Sequence, residues 1–304
     1  MKIGVVSGSK NCLPLLQFFK ANQIVADVFT DEIKPPEGDF EFVRHYCQSV
    51  NIEIEESIPF HEWCLAKQPE IIFVFGYGKL INTRLIGAEL SSKLFNIHFA
   101  ALPDFKGPAP LFWQIKSGIS EMSLCIHHIN EKFDDGMVVW RKNVPYEAHY
   151  SYGFLELLFS QLVLEGVVQI LQHYLHKTKM PAIENKQGAA KYYARPQLKD
   201  VKINWKEMSA AEITRLVNAC NPWNKGAFTS YNGNEVKIID IEILPSAQSH
   251  PSVATGTIIN HVDCLQVQCS NAVLNLNMIN INGNFMPARY ASKMGFMQGT
   301  AFDN

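Results

Sequence analysis

Several chemistries are ruled out by what the 304-residue chain does not contain. It has no excess of positive charge. The 27 Lys and Arg are set against 29 Asp and Glu, a formal net charge of −2 with a pI near 6.6. That balance withholds the basic footprint of a protein built to live on nucleic acid. The seven cysteines (Cys12, Cys47, Cys64, Cys125, Cys220, Cys264, Cys269) are odd in number and scattered, with no C-x-x-C pair. Neither a disulfide framework nor a zinc ribbon is expected, and a reducing compartment fits. A Walker loop is missing, and near the first turn the only glycines are Gly4 and Gly8, too few for a dinucleotide fingerprint. G-x-S-x-G and H-E-x-x-H are absent as well. His127 and His128, as neighbours on a strand, point to opposite faces, which argues against joint metal ligation. No metal is expected. The opening MKIGVVSGSK is too short an apolar run for a signal peptide, and no stretch reads as the roughly 18–20 apolar residues that span a bilayer. The expectation is a cytoplasmic protein with no membrane segment.

What is present is an ordinary globular composition, 47% hydrophobic and 18% charged, long enough for two cores. Residues 2–7, 24–30, 71–75 and 94–99 read as short buried strands. Helical patterns over 11–21, 40–50 and 60–67 separate them, with a loop at 30–39. That alternation predicts a parallel, doubly wound α/β sheet, with antiparallel additions at 122–129 and 136–144. A long helix is expected over 151–175, and another after Ser209, whose hydroxyl and Glu212 form a capping box. Beyond it, β-rich segments and a hairpin signal at Tyr231-Asn232-Gly233 indicate a small β domain. The domains expected are 1–180 and 204–304, joined by a polar, poorly periodic linker at 181–203.

Chemistry concentrates in FNIHFAALPDFKGPAP, residues 95–110. Asn96 and His98 share one strand face, at the carboxyl end where open α/β sheets bind ligands. Buried polar groups there must be bonded or used. A satisfied core histidine and a turn-capping asparagine fit the same pattern. Asp134-Asp135-Gly136 reads either as a hairpin turn or as a carboxylate delivered beside His98, where it would orient the imidazole and favour its charged form.

Taken together, these residues resemble the folate-dependent formyltransferases, in the branch of methionyl-tRNA formyltransferase and the amino-sugar N-formyltransferases. The resemblance rests on Asn-x-His at Asn96 and His98, on L-P-x-x-K-G-x-x-P at Leu102, Pro103, Lys106, Gly107 and Pro110, and on Asp-x-Gly at Asp134 and Gly136. FGYGKLI (75–81), KINW (202–205), NPW (221–223) and GTIIN (256–260) extend it over nearly the whole chain. Phe99 and Ala100 stand where the family has small residues, Lys106 where it has Arg, and Ser123-Leu124-Cys125 where Gly-Val-Thr is common.

The resemblance implies a Rossmann-like formyltransferase domain followed by an OB-like β-barrel. It implies transfer of a formyl group from 10-formyltetrahydrofolate, as cosubstrate, to a primary amine. The implied catalytic residues are Asn96, His98 and Asp134. Phe75, Tyr77, Gly78, Lys79, Leu80, Ile81 and Phe133 would bind the folate, and Ser9, Lys10, Lys106 and Gly107 the acceptor. Asn96 would donate to the oxyanion, and His98 would serve as base or as a second oxyanion donor. The family's tRNA enzymes use a basic loop after the second strand and a basic second domain. Here residues 30–42 are acidic, and residues 204–304 carry six Lys and Arg against seven Asp and Glu. A small amine acceptor, such as a nucleotide-linked amino sugar, is therefore expected, with methionyl-tRNA formylation and 10-formyltetrahydrofolate hydrolysis as alternatives. A homodimer is compatible with the apolar β segments.

Overall fold

Short apolar runs become the strands of a twisted sheet, and the amphipathic segments between them become its covering helices. The structure, a computed structural model, describes residues 1–30, 39–184, 191–244 and 252–303. β1 (Lys2–Val6) leads into α1 (Leu13–Ala21), where Pro14 sits in the first turn and costs no helical hydrogen bond. β2 (Val25–Phe29), α2 (Asp39–Val50), β3 (Ile54–Glu55), α3 (Phe60–Lys67) and β4 (Ile71–Phe75) follow. Then come α4 (Gly87–Ser91), β5 (Leu94–His98), α5 (Pro110–Ser117), β6 (Glu121–His128) and β7 (Val138–Pro145). The seven strands lie in the order β3-β2-β1-β4-β5-β6-β7. Pairs from β3 to β5 are parallel, and β6 and β7 join antiparallel, as the sequence pattern predicts. β4 is buried along its whole length, as a strand covered on both faces must be. The strand order reverses between β1 and β4, so a crevice opens beyond their carboxyl ends.

α6 (Tyr152–Leu175) corrects one expectation. Its 24 residues are long and apolar enough, by length and composition, to cross a membrane. Its apolar residues occupy more than one face, so a reading of one helical stripe undercounts them. Leu155, Phe159, Val163, Val167, Ile170 and Leu171 are buried within the protein.

By compactness the chain forms two units: Met1–Pro110 with Glu121–Pro145 and Glu156–Ala194, and Leu111–Ser120 with Tyr146–Leu155 and Arg195–Asn304. The stretch expected to be a linker carries structure. Lys191–Tyr193 pairs with the Lys106 backbone, and α7 (Leu198–Val201) has a capping box between Gln197 and Asp200. Residues 185–190 of that stretch and 31–38 of the expected loop lie outside the described residues.

In the second unit, α8 (Ala210–Cys220) opens on the expected Ser209–Glu212 capping box. β8 (Ala227–Tyr231) and β9 (Asn234–Leu244) are joined by the Asn232-Gly233 hairpin, both residues at positive φ. With β10 (Ile258–Asn260), β11 (Leu265–Gln268), β12 (Val273–Ile281) and β13 (Asn284–Pro287) they form a curled antiparallel sheet, β10-β11-β12-β9-β8, with β13 paired to β12. Register shifts between Leu276 and Ile279 bend the long β9–β12 pair. Among the described residues no pairing joins β8 to β10. Trp205 of the KINW stretch is fully buried, donates to Thr229 Oγ1 at 2.9 Å and stacks on Phe302.

Candidate active site

β5 sets Asn96 and His98 on one face, between β4 and β6. In the β6 register, Asn96 stands opposite His127 and His98 opposite Cys125. His98 is only 5% exposed, and its Nε2 lies 3.0 Å from the Phe105 carbonyl oxygen. A carbonyl can only accept, so Nε2 carries the proton and Nδ1 presents a lone pair. That Nδ1 is 3.5 Å from Asp134 Oδ1. Burial pulls the imidazole below its ordinary range; the Asp134 charge opposes the shift without reversing it, and His127 and Lys106 reinforce it. The ring is therefore neutral at neutral pH, with its basic nitrogen turned toward a carboxylate.

Asp134 sits between β6 and β7 at φ +51°, a left-handed conformation that Asp tolerates better than most residues. The Gly107 N–H donates to its Oδ2 at 2.8 Å, and Asn96 Nδ2 donates to its Oδ1 at 3.3 Å. Burial raises the carboxyl, but in acid the protonated His98, with His127 and the Gly107 N–H, outweighs it and lowers it to about 2. It is ionised through the physiological range. The Asp-x-Gly spacing has a steric reason too. A Cβ on Gly136 would fall 1.7 Å from the His128 carbonyl oxygen, so only glycine lets the chain turn there.

His127 is a member of the site that sequence reasoning missed. Its Nδ1–H donates to the carbonyl of His128 at 2.7 Å, which leaves Nε2 to accept from Asn96 Nδ2 at 3.0 Å. Both hydrogens of the Asn96 amide thus face acceptors, His127 and Asp134, and the amide orientation is fixed. The signal was Asn96 itself. If β6 pairs antiparallel with β5, some β6 residue must face it, but register is not written in the sequence.

A cavity of about 50 Å³ opens at this centre, lined by Val74, Tyr77, Lys79, Leu80, Ile81, Asn96, His127, Ile129, Lys132, Phe133 and Asp134. A second, of about 170 Å³, adjoins the 77–82 loop beside Phe60, His61 and Leu85. Of the residues expected to hold folate, Tyr77, Lys79, Leu80, Ile81 and Phe133 line the smaller cavity beside the triad. Phe75 lies beneath, buried with its ring edge-on to Phe99, and Gly78 is an exposed loop residue. The residues expected to meet the acceptor scatter. Ser9 caps the turn Lys10–Cys12, and Lys10 pairs with Asp39 at 3.1 Å. Lys106 pairs with Asp135, and the Gly107 N–H is held by Asp134. None of the four lines either cavity. Phe99 and Ala100, where the chain departs from the family pattern, are buried, and the Phe99 ring packs edge-on against Phe75 and Phe159. Among the described residues no group of three or more His, Cys, Asp or Glu is placed to hold a metal ion.

Two family profiles match the chain: formyl transferase over residues 4–171, and the formyl transferase C-terminal domain over residues 197–292. Methionyl-tRNA formyltransferase of Syntrophomonas wolfei is 27% identical over 228 residues, 75% of this chain and 70% of that protein. Among solved structures, WlaRD, a sugar 3N-formyl transferase determined in the presence of dTDP and 5-N-formyl-THF, superposes with a TM-score of 0.70. It is 16% identical, over 93% of this chain and 98% of WlaRD. The N-formyltransferase of Helicobacter canadensis, in complex with folinic acid and dTDP-3-aminofucose, gives a TM-score of 0.70 at 17% identity, over 91% of this chain and 98% of its own.

Proposed function

Because the chain belongs to the formyl transferase family, we propose that it transfers the formyl group of 10-formyltetrahydrofolate to the primary amine of a small acceptor, such as a nucleotide-linked amino sugar. One observation carries the reading. The Asp134 carboxylate reaches His98 Nδ1 at 3.5 Å and Asn96 Nδ2 at 3.3 Å, while the Phe105 carbonyl holds the opposite ring nitrogen.

The cavity chemistry suits a folate. Val74, Ile81, Tyr77 and Phe133 offer apolar and aromatic walls for a flat ring, and Asn96, His127 and Asp134 supply polar groups at one end. Its volume of about 50 Å³ is smaller than such a ring, so binding requires the cavity to widen. Bound there, the folate supplies the formyl carbon. As negative charge develops on the formyl oxygen, one Asn96 N–H turns to it from its present acceptor, Asp134, the longer of its two bonds at 3.3 Å, while His127 keeps the other. Such a contact is typically worth about 2.7–4 kcal/mol. His98 acts as general base through Nδ1, taking the proton that the amine nitrogen loses as it bonds to carbon. The imidazolium so formed lies between two acceptors, Phe105 O and Asp134. The oxyanion then collapses, the bond from the formyl carbon to folate N10 breaks, and the same proton passes to N10 as tetrahydrofolate leaves. A positioned base of this kind contributes roughly 10²–10⁴-fold. This geometry favours the base over the protonated oxyanion donor, since burial keeps His98 neutral before the reaction.

The near balance of charge in residues 204–304, six positive against seven negative, supports a small acceptor. The sequence likeness to a methionyl-tRNA formyltransferase supports the second reading, initiator tRNA. The OB-like reading of the second unit and a cytoplasmic location belong to this proposal. Incubation with 10-formyltetrahydrofolate and a panel of nucleotide-linked amino sugars, with and without methionyl initiator tRNA, tests it. The expected result is formylated sugar and stoichiometric tetrahydrofolate. Formylated tRNA as the main product would replace the acceptor, and formate released to water alone would make the protein a hydrolase.

A further inference from the structure

The loop that holds the active centre is itself held from outside. Phe105 O fixes the protonated nitrogen of His98, and the Gly107 N–H fixes Asp134. Neither group has a side-chain rotamer to lock, so each is placed only as well as the backbone of 105–107 is placed. Phe105 sits at φ +55° and Gly107 at φ +114°, so this turn is not a conformation the chain adopts unaided.

A short extended segment far along the chain clamps the turn. The Lys106 N–H donates to the Lys191 carbonyl at 3.2 Å, and the Tyr193 N–H donates to the Lys106 carbonyl at 2.8 Å. The rings of Phe105 and Tyr193 stack at 5.3 Å with 17° between their planes, and Lys191 Nζ lies over the Tyr193 ring at 4.6 Å. The fit is close. A Cβ on Gly107 would come 2.0 Å from the Tyr193 carbonyl oxygen. The two backbone bonds bracket Lys106, the residue between the two groups that touch the triad.

We propose that Tyr193 is a positioning residue of the active centre, and that Lys191–Tyr193 straps the 105–107 turn so that Phe105 O sets the His98 tautomer and Gly107 N–H sets the Asp134 carboxylate. The strap acts through backbone bonds and one ring stack, and none of Lys191, Tyr192 and Tyr193 lines either cavity. Its effect on turnover rests on the formyl-transfer reading; its effect on His98 does not.

Tyr193→Ala removes the stack, Tyr193→Pro removes the N–H bonded to Lys106, and Tyr193→Phe keeps both and serves as control. Turnover and the NMR signals of the histidine ring nitrogens are measured for each, with thermal unfolding alongside. The charged and titratable groups around His98 are Asp134, Lys106, and His127 and Cys125 of β6. None of them is changed. The expected result is that Tyr193→Ala lowers kcat about tenfold or more with KM little altered, since small misplacements of reacting groups are costly. The acid limb of the rate profile then moves to lower pH by about half a unit, because the imidazolium loses an acceptor. His98 loses its single Nε2–H signature, and Tyr193→Phe behaves as wild type. A Tyr193→Ala protein with wild-type His98 signals and an unmoved acid limb overturns the proposal, even if it is less stable. Should Tyr193→Pro not fold, Tyr193→Ala decides. If wild type shows the ordered tautomer but transfers no formyl group, the strap stands and the functional reading falls.

Discussion

His98 and Asp134 lie within 3.5 Å of each other under opposite pressures. Burial lowers the imidazole and the surrounding donors lower the carboxyl, so the pair rests as a neutral base beside an anion. The folded value of His98 lies below 6.5, so its base form is already dominant at pH 6.5. kcat/KM should therefore climb through a value below 6.5 and stay flat above it. The same shift has a stability sign. As pH falls below 6.5 the unfolded chain takes up the proton first, so stability is lost from 6.5 downward to the folded value. Asp134 adds a second loss, between about 3.8 and about 2. An acid limb centred above 6.5 would contradict this assignment of the base. His127 makes a separate prediction. His127→Leu removes the acceptor that orients Asn96, so kcat should fall about tenfold, short of the 10²–10³ for losing an oxyanion donor outright. His127→Gln, which can present an oxygen near the lost Nε2, should recover much of that rate. Equal turnover in the Leu and Gln variants would mean the hydrogen bond is idle. The three residues were legible through the family resemblance, because Asn-x-His and Asp-x-Gly are local patterns. His127 was not, because its partner is chosen by strand register.

Elements bring the triad together. β5 aims two side chains, and the turn between β6 and β7 aims the third. Gly136→Ala tests how tightly that turn is fitted. The added methyl meets a backbone oxygen, which cannot rotate away, so overpacking should cost about 1–3 kcal/mol or more in urea denaturation and shift Asp134 enough to depress kcat. Unchanged stability would show that the β6–β7 turn can relax. Strands and helices were largely readable, since β4 is uniformly apolar and α8 carries its capping box in sequence. The strap was not. A three-residue extended segment bonded through its backbone leaves no periodic pattern, and KYY within the polar, poorly periodic stretch 181–203 reads as linker. Phe99 shows the converse. Its departure from the family pattern stood out in sequence, yet the ring is absorbed by Phe75 and Phe159 in the core.

At the scale of the whole molecule the question is the acceptor, and charge supplies the test. A small acceptor meets few counter-charges, so its KM should vary little between 50 and 200 mM salt. A tRNA held by several phosphate contacts would lose affinity steeply over the same range. A steep salt dependence would count against the small-amine reading. The sequence by itself determined the fold class, the two-part organisation and the identity of the three central residues. The first two follow from periodicity and composition, and the three residues from short motifs that resemble the family's, all of them properties of neighbours along the chain. Only the tertiary structure decided which nitrogen of His98 is basic, that His127 orients Asn96, and that Tyr193 braces the turn beneath them. Each of these depends on distances between residues 7 to 88 positions apart in sequence, fixed by strand register and backbone pairing rather than by any local preference.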